Sequence, residues 1–156
     1  MRRPSSESDS GRGGLIVGGK VQRARILLAD DHKEMRERVV HMLGREFEML
    51  EPVGDGRALI EAASRLKPDV CLMDISMPLV NGIEAAARLK ESGLHSKVIF
   101  LTIHEDPDFL VAALNAGASG YVVKPRMASD LRAAIKEVLA GRTYISSSLG
   151  SSINTD

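Results

Sequence analysis

The stretch Asp69-Val70-Cys71-Leu72-Met73-Asp74-Ile75-Ser76-Met77-Pro78 decides how the chain reads. Four apolar residues, Val70 to Met73, run up to an acid and stop. A short apolar run bounded by turn signals fits a buried parallel strand, and Met77-Pro78 with Asn81-Gly82 beyond it fits a loop. In an open α/β sheet, ligands gather outside the carboxyl ends of the strands. The pattern therefore predicts Asp74 at the edge where chemistry happens. Its plainer alternative is a cap on the helix that follows.

A second acidic strand end narrows the choice. Ile26-Leu27-Leu28-Ala29 is another short apolar run, and it stops at Asp30-Asp31. If the two strands are parallel neighbours, three carboxylates converge at one sheet edge. Carboxylates that close repel and raise one another's pKa unless a cation is present. A hard divalent ion held by a few carboxylates and several waters, as Mg2+ prefers, resolves the repulsion. Two further strand ends reach the same edge: Val98-Ile99-Phe100-Leu101 closes on Thr102, and Gly120-Tyr121-Val122-Val123 closes on Lys124-Pro125. A hydroxyl and an ammonium join the acids, and the constellation reads as a phosphoryl site.

On these residues the sequence resembles the receiver domains of two-component response regulators. The matching positions, in order, are Asp30-Asp31, Asp74 with Met77-Pro78 and Gly82, Thr102, Tyr121 and Lys124-Pro125. Leu27-Leu28-Ala29-Asp30-Asp31-His32 and Ala116-Gly117-Ala118-Ser119-Gly120-Tyr121 look most like the branch with a LuxR-type helix-turn-helix output. The resemblance runs from about Arg25 to Tyr144. It implies a flavodoxin/CheY-like (βα)5 fold: a doubly wound, five-stranded parallel sheet of order 2-1-3-4-5.

Composition agrees with such a domain. At 156 residues the chain suits one domain with a sizeable core. A formal net charge of zero supplies no global attraction to nucleic acid or membrane. With 3% aromatics and no Trp there is no stacking platform for single strands. Cys71, the single cysteine, sits inside an apolar strand, which excludes a disulfide framework and points to a buried structural thiol. Met1-Arg2-Arg3-Pro4 carries a twin arginine, but Leu15-Ile16-Val17 is too short for a signal sequence core. A cytoplasmic location and no membrane contact are expected.

Residues 1–24, rich in Ser, Gly and Arg, read as a disordered leader. Within them Gly14-Leu15-Ile16-Val17-Gly18-Gly19-Lys20-Val21 nearly matches a Walker A loop, yet Val21 replaces the Ser or Thr and no strand precedes it. From Arg25 strands and helices alternate five times. The expected helices are about 33–45, with Met35, Val39, Met42 and Leu43 inward, and about 57–66, with Leu59, Ala62, Ala63 and Leu66 inward. A third follows Gly82 and carries Ile83, Ala86 and Ala87. A fourth opens on Asp106-Pro107 with Phe109, Ala112, Ala113 and Ala116 inward, and a fifth carries Leu131, Ala134, Ile135, Val138 and Leu139. The second strand, near residues 49–53, contains Pro52 and so belongs at a sheet edge. Residues 145–156 read as a linker or tail, without an output domain in this chain.

The resemblance also implies roles. Asp74 is the phosphoacceptor, and the donor is a phosphohistidine on a sensor histidine kinase. Asp31, Asp74 and the backbone carbonyl of Ser76 hold Mg2+, with Asp30 acting through a bound water. Lys124 and Thr102 contact the phosphoryl group, and a cis Lys124-Pro125 bond would aim the lysine inward. Thr102 and Tyr121 form the switch. The face of the fourth helix, fifth strand and fifth helix (around Asp108, Val111, Asn115, Arg126, Arg132 and Lys136) serves homodimerisation or output docking, and DNA is reached only through an output domain. His32 and His104 read as rim residues. An aspartyl-phosphate phosphatase of the haloacid-dehalogenase type is disfavoured, because its second Asp would stand where Ser76 does. A self-sufficient DNA-binding regulator lacks a helix-turn-helix here, and a degenerate interaction module would not need the complete acid set.

Overall fold

The computed structural model describes residues 14–17, 20–147 and 149. Eight strands occur among them: β1 (Gly14–Val17), β2 (Lys20–Arg23), β3 (Arg25–Ala29), β4 (Glu48–Met49), β5 (Val70–Met73), β6 (Lys97–Thr102), β7 (Gly120–Val123) and β8 (Tyr144–Ile145). The helices are α1 (Lys33–Leu43), α2 (Gly56–Leu66), α3 (Gly82–Glu91), α4 (Pro107–Asn115) and α5 (Met127–Leu139). Strands β3 to β8 form one parallel sheet of order β4-β3-β5-β6-β7-β8. Its first five strands reproduce the order expected from the sequence, and β8 adds a sixth beyond β7.

Side chains alternate across a strand, so each central strand feeds two apolar layers. Leu27, Ala29, Cys71, Met73, Phe100, Tyr121 and Val123 pack with Leu59, Ala63, Ala85, Leu89, Leu110 and Ala113 of α2, α3 and α4. Ile26, Leu28, Val70, Leu72, Ile99, Leu101 and Val122 pack with Val39 and Leu43 of α1 and Leu131, Ile135 and Val138 of α5. The stripes on α1, α2, α3 and α5 are therefore core, as their period implies. Each fully buried Leu or Ile contributes ~1.5–3 kcal/mol over an exposed one. Cys71 is fully buried in the middle of the sheet, and burial pushes its thiol up to about 12.

Several expectations need correction. The second strand is shorter, with residues 48–49 paired and a single further bridge from Ala29 to Val53, because Pro52 interrupts it. Residues 14–17 and 20–23 of the leader pair as an antiparallel ribbon, and Arg23 donates to the Gly44 and Arg45 carbonyls after α1. Residues 1–13 and 18–19 lie outside the described residues. In α4 Leu110 is buried beside the expected Ala113, and Ala116 just after the helix is buried too, whereas Phe109 is 36% exposed. This helix is apolar on nearly every side, so its pattern does not single out a face. Arg132 and Lys136, expected on the face shared with α4 and β7, reach Glu46, which follows α1, at 2.7 and 3.2 Å.

Asp130 ties the segment that follows α5 to the rest of the fold. It is 4% exposed, and its carboxylate accepts from Arg126 Nε at 3.1 Å, Ser129 Oγ at 2.9 Å and Ser146 Oγ at 3.0 Å. Burial alone would raise its pKa, but these donors and the Arg126 charge overcome it and hold the carboxyl below its ordinary range. A depressed folded pKa contributes stability above the unfolded carboxyl range, and that contribution fades as pH falls toward the folded value. Asp130→Asn is therefore expected to cost about 1–2 kcal/mol at pH 7. The gap to the wild type should narrow below about pH 4, the ordinary Asp range. Urea unfolding of both proteins across that range measures it.

Candidate functional site

The parallel registers build the site before any side chain is placed. Ala29 pairs with Met73, so Asp30 and Asp74, one residue further along, stand side by side, and Asp74 N donates to Ala29 O at 3.1 Å. Thr102 pairs with Val123, which puts Lys124 one step beyond the same edge. Asp30 and Asp74 are 1% and 5% exposed. The Lys124 ammonium bridges them, donating at 2.9 Å to Asp30 Oδ2 and at 2.9 Å to Asp74 Oδ2. Burial would lower the lysine pKa, but its two carboxylate partners prevail and raise it, so Lys124 stays charged.

No peptide bond among the described residues is cis, so Lys124-Pro125 is trans, contrary to expectation. The chain passes from Val123 straight into a 3-10 turn, Lys124–Arg126, and that turn alone brings the side chain over the acids. Proline tolerates the first turn of a helix because its missing N–H is not needed there.

The loop after Asp74 is pinned at both ends. Ile75 N donates to Asp74 Oδ1 at 2.7 Å, and Gly82 N donates to Ile75 O at 2.7 Å. A Cβ at Gly82 would collide with the Asp74 carbonyl oxygen, so only glycine lets α3 start this close. Asn81 accepts from Glu84 N at 2.9 Å and caps the helix, which frees Asp74 from the capping role weighed against it.

Asp31 is exposed at the rim. Asp30, Asp31, His32 and Asp74 each offer a donor atom, all within 4.8 Å of one another. Three carboxylates against one ammonium leave uncompensated negative charge among oxygen donors. Such a set suits a hard divalent cation. His32, exposed at the rim, holds its Nδ1 3.2 Å from Asp30 Oδ1 and 3.1 Å from Asp31 Oδ1.

Thr102 and Tyr121 are fully buried. His104 N donates to Thr102 Oγ1 at 3.3 Å, and the Tyr121 hydroxyl donates to His104 O at 2.8 Å. Burial first, then the charges of Asp74, Asp106 and Glu105, raise the Tyr121 pKa, which keeps the phenol as a donor. Ser76 Oγ meets His104 Nε2 at 2.9 Å, and the His104 ring stacks on Phe109 with centroids 4.2 Å apart. This Ser76–His104–Phe109 bridge closes one flank of the site. Only the closeness of His104 to Thr102 in sequence hinted at it.

Comparison with known proteins places this geometry in a family. The response regulator receiver domain model matches residues 26–136. The transcriptional regulatory protein DegU of Brevibacillus brevis is 41% identical over 122 residues, 77% of this chain and 52% of that protein. The response regulator GacA of Pseudomonas aeruginosa is 38% identical over 125 residues, 78% of this chain and 58% of that protein. The chain thus spans a little over half the length of these relatives. A LuxR-family two-component response regulator from Aurantimonas sp. SI85-9A1 superposes with a TM-score of 0.81 at 30% identity, covering 85% of this chain and 96% of that one. The matched span begins on β3, ends on α5 and contains every residue of the acid edge, and the chain accordingly belongs to the response regulator receiver domains of two-component systems.

Proposed function

We propose that Asp74 takes a phosphoryl group from the phosphohistidine of a sensor histidine kinase in the cytoplasm, and that the domain catalyses only this transfer and the later hydrolysis. The observation that carries the reading is the Lys124 ammonium shared at 2.9 Å by Asp30 and Asp74 at two adjacent strand ends. The free Asp74 carboxylate attacks phosphorus in line, the bond from phosphorus to the histidine nitrogen breaks, and an acyl phosphate results. Lys124 then holds a phosphoryl oxygen in place of a carboxylate. Thr102, buried beside it, offers its hydroxyl to another. Asp31, Asp74 and the Ser76 carbonyl would hold Mg2+, with Asp30 acting through water, and the bound ion would supply charge neutralisation as negative charge builds on the phosphoryl oxygens.

The signal would leave through Thr102 and Tyr121. Movement of Thr102 toward the phosphoryl group opens room for the Tyr121 ring beneath α4, biasing a packing with two arrangements. The face of α4, β7 and α5, around Asp108, Val111, Asn115 and Arg126, would then control homodimerisation or the docking of an output. Relatives named as transcriptional regulators support an output that acts on DNA outside the matched residues.

Asp74→Asn should fold normally and take up no label from acetyl phosphate with Mg2+; undiminished labelling would remove Asp74 as acceptor. In a Mg2+ titration followed by NMR, Asp31→Asn should weaken binding tenfold or more, corresponding to about 1.4 kcal/mol, whereas His32→Ala should change it little. Equal losses from both would overturn the ligand set.

A further inference from the structure

The segment after α5 carries more contacts than a connector needs. Tyr144 N donates to Ser119 O at 3.0 Å and Ser146 N donates to Tyr121 O at 2.9 Å, which seats β8 on the free edge of β7. In the pairing register Ile145 stands opposite Tyr121, the switch residue. Ser146 is fully buried. Its hydroxyl accepts from Val123 N at 3.1 Å and donates to Asp130 Oδ2 at 3.0 Å. Val123 is the residue before Lys124, so the same strand end carries the site lysine on one side and the segment on the other. Leu149 is 3% exposed and shares one packed apolar cluster with Tyr121, Leu110, Ala113 and Ala116, against which Ile145 also packs.

From this arrangement we propose that residues 144–147 together with Leu149 act as a clasp that holds the Tyr121 ring inward, so that docking of the segment and phosphorylation of Asp74 favour one another. The inference rests on the phosphoacceptor reading above and adds its regulation. The ring is fully buried, with its hydroxyl on His104 O. A ring leaving that position toward the α4–β7 surface must displace the apolar side chains that share its cluster. A docked clasp is thus compatible only with the inward ring. The inward ring is also the arrangement for which a Thr102 drawn toward the phosphoryl group makes room. Two events that favour one state are coupled, and binding coupling is reciprocal. Phosphorylation would tighten the clasp, and the clasp would strengthen the hold on a phosphoryl group. The clasp also occupies the β7 edge, so a partner at the α4-β7-α5 face meets this segment as part of its surface.

Reciprocity supplies the test. Beryllofluoride affinity would be measured by NMR on the full chain at saturating Mg2+ for the wild type, Leu149→Asp and Ser146→Ala. Neither residue is bonded to Asp30, Asp31 or Asp74, so Mg2+ affinity should stay at the wild-type value in both variants. Beryllofluoride affinity should fall about fivefold or more, the lower range of measured allosteric couplings. Wild-type affinity in both variants, or tighter binding, would overturn the clasp. So would a parallel loss of Mg2+ affinity in both, which would assign the effect to damage at the site. A wild type that binds Mg2+ but no beryllofluoride would overturn the phosphoacceptor reading and the clasp with it.

Discussion

The site depends on one ammonium placed between two buried carboxylates. Asp30 and Asp74 are forced together by a register that the apolar strands dictate, and neither can move without breaking the sheet. Lys124 makes that proximity tolerable. Removing one partner of a buried ion pair leaves uncompensated charge and costs about 3–5 kcal/mol, far more than losing an exposed pair. Asp74, its counter-charge and the strand that carries Tyr121 are therefore parts of one electrostatic unit. A change of charge on Asp74 would act first on Lys124, whose ammonium lies 2.9 Å from it.

How much of this could be read in the sequence follows from where the information lies. Asp30, Asp74, Thr102 and Lys124 were legible because each ends an apolar run, and parallel strands end on one side. The α5 stripe was legible because five positions keep one helical period in thirteen residues. In α4, nine residues with Phe109, Leu110, Val111, Ala112 and Ala113 in succession offer no such contrast. The isomer of Lys124-Pro125 could not be read, since an Xaa-Pro bond prefers trans by only about 0.5–1 kcal/mol and the surrounding fold decides.

The sixth strand was hidden for a different reason. Tyr144–Ile145 is two residues long, too short for any period, and forms because β7 offers an open edge. Ser146 gives no local sign of burial; its place is decided by Asp130, sixteen residues earlier. The Ser76–His104 contact likewise joins two loops from different strand ends. Such contacts are properties of the assembled sheet edge.

Cys71 carries a practical consequence of the same architecture. The only sulfhydryl in the sequence lies fully buried on the central strand between β3 and β6, with its thiol held near a pKa of 12. Oxidants and alkylating reagents act on the exposed thiolate, so in the native protein they find nothing to attack. Their rate of modification becomes a clock for opening of the sheet itself rather than of the loops around Asp74. The protein thus contains its own reporter of global unfolding, and no label need be introduced to use it.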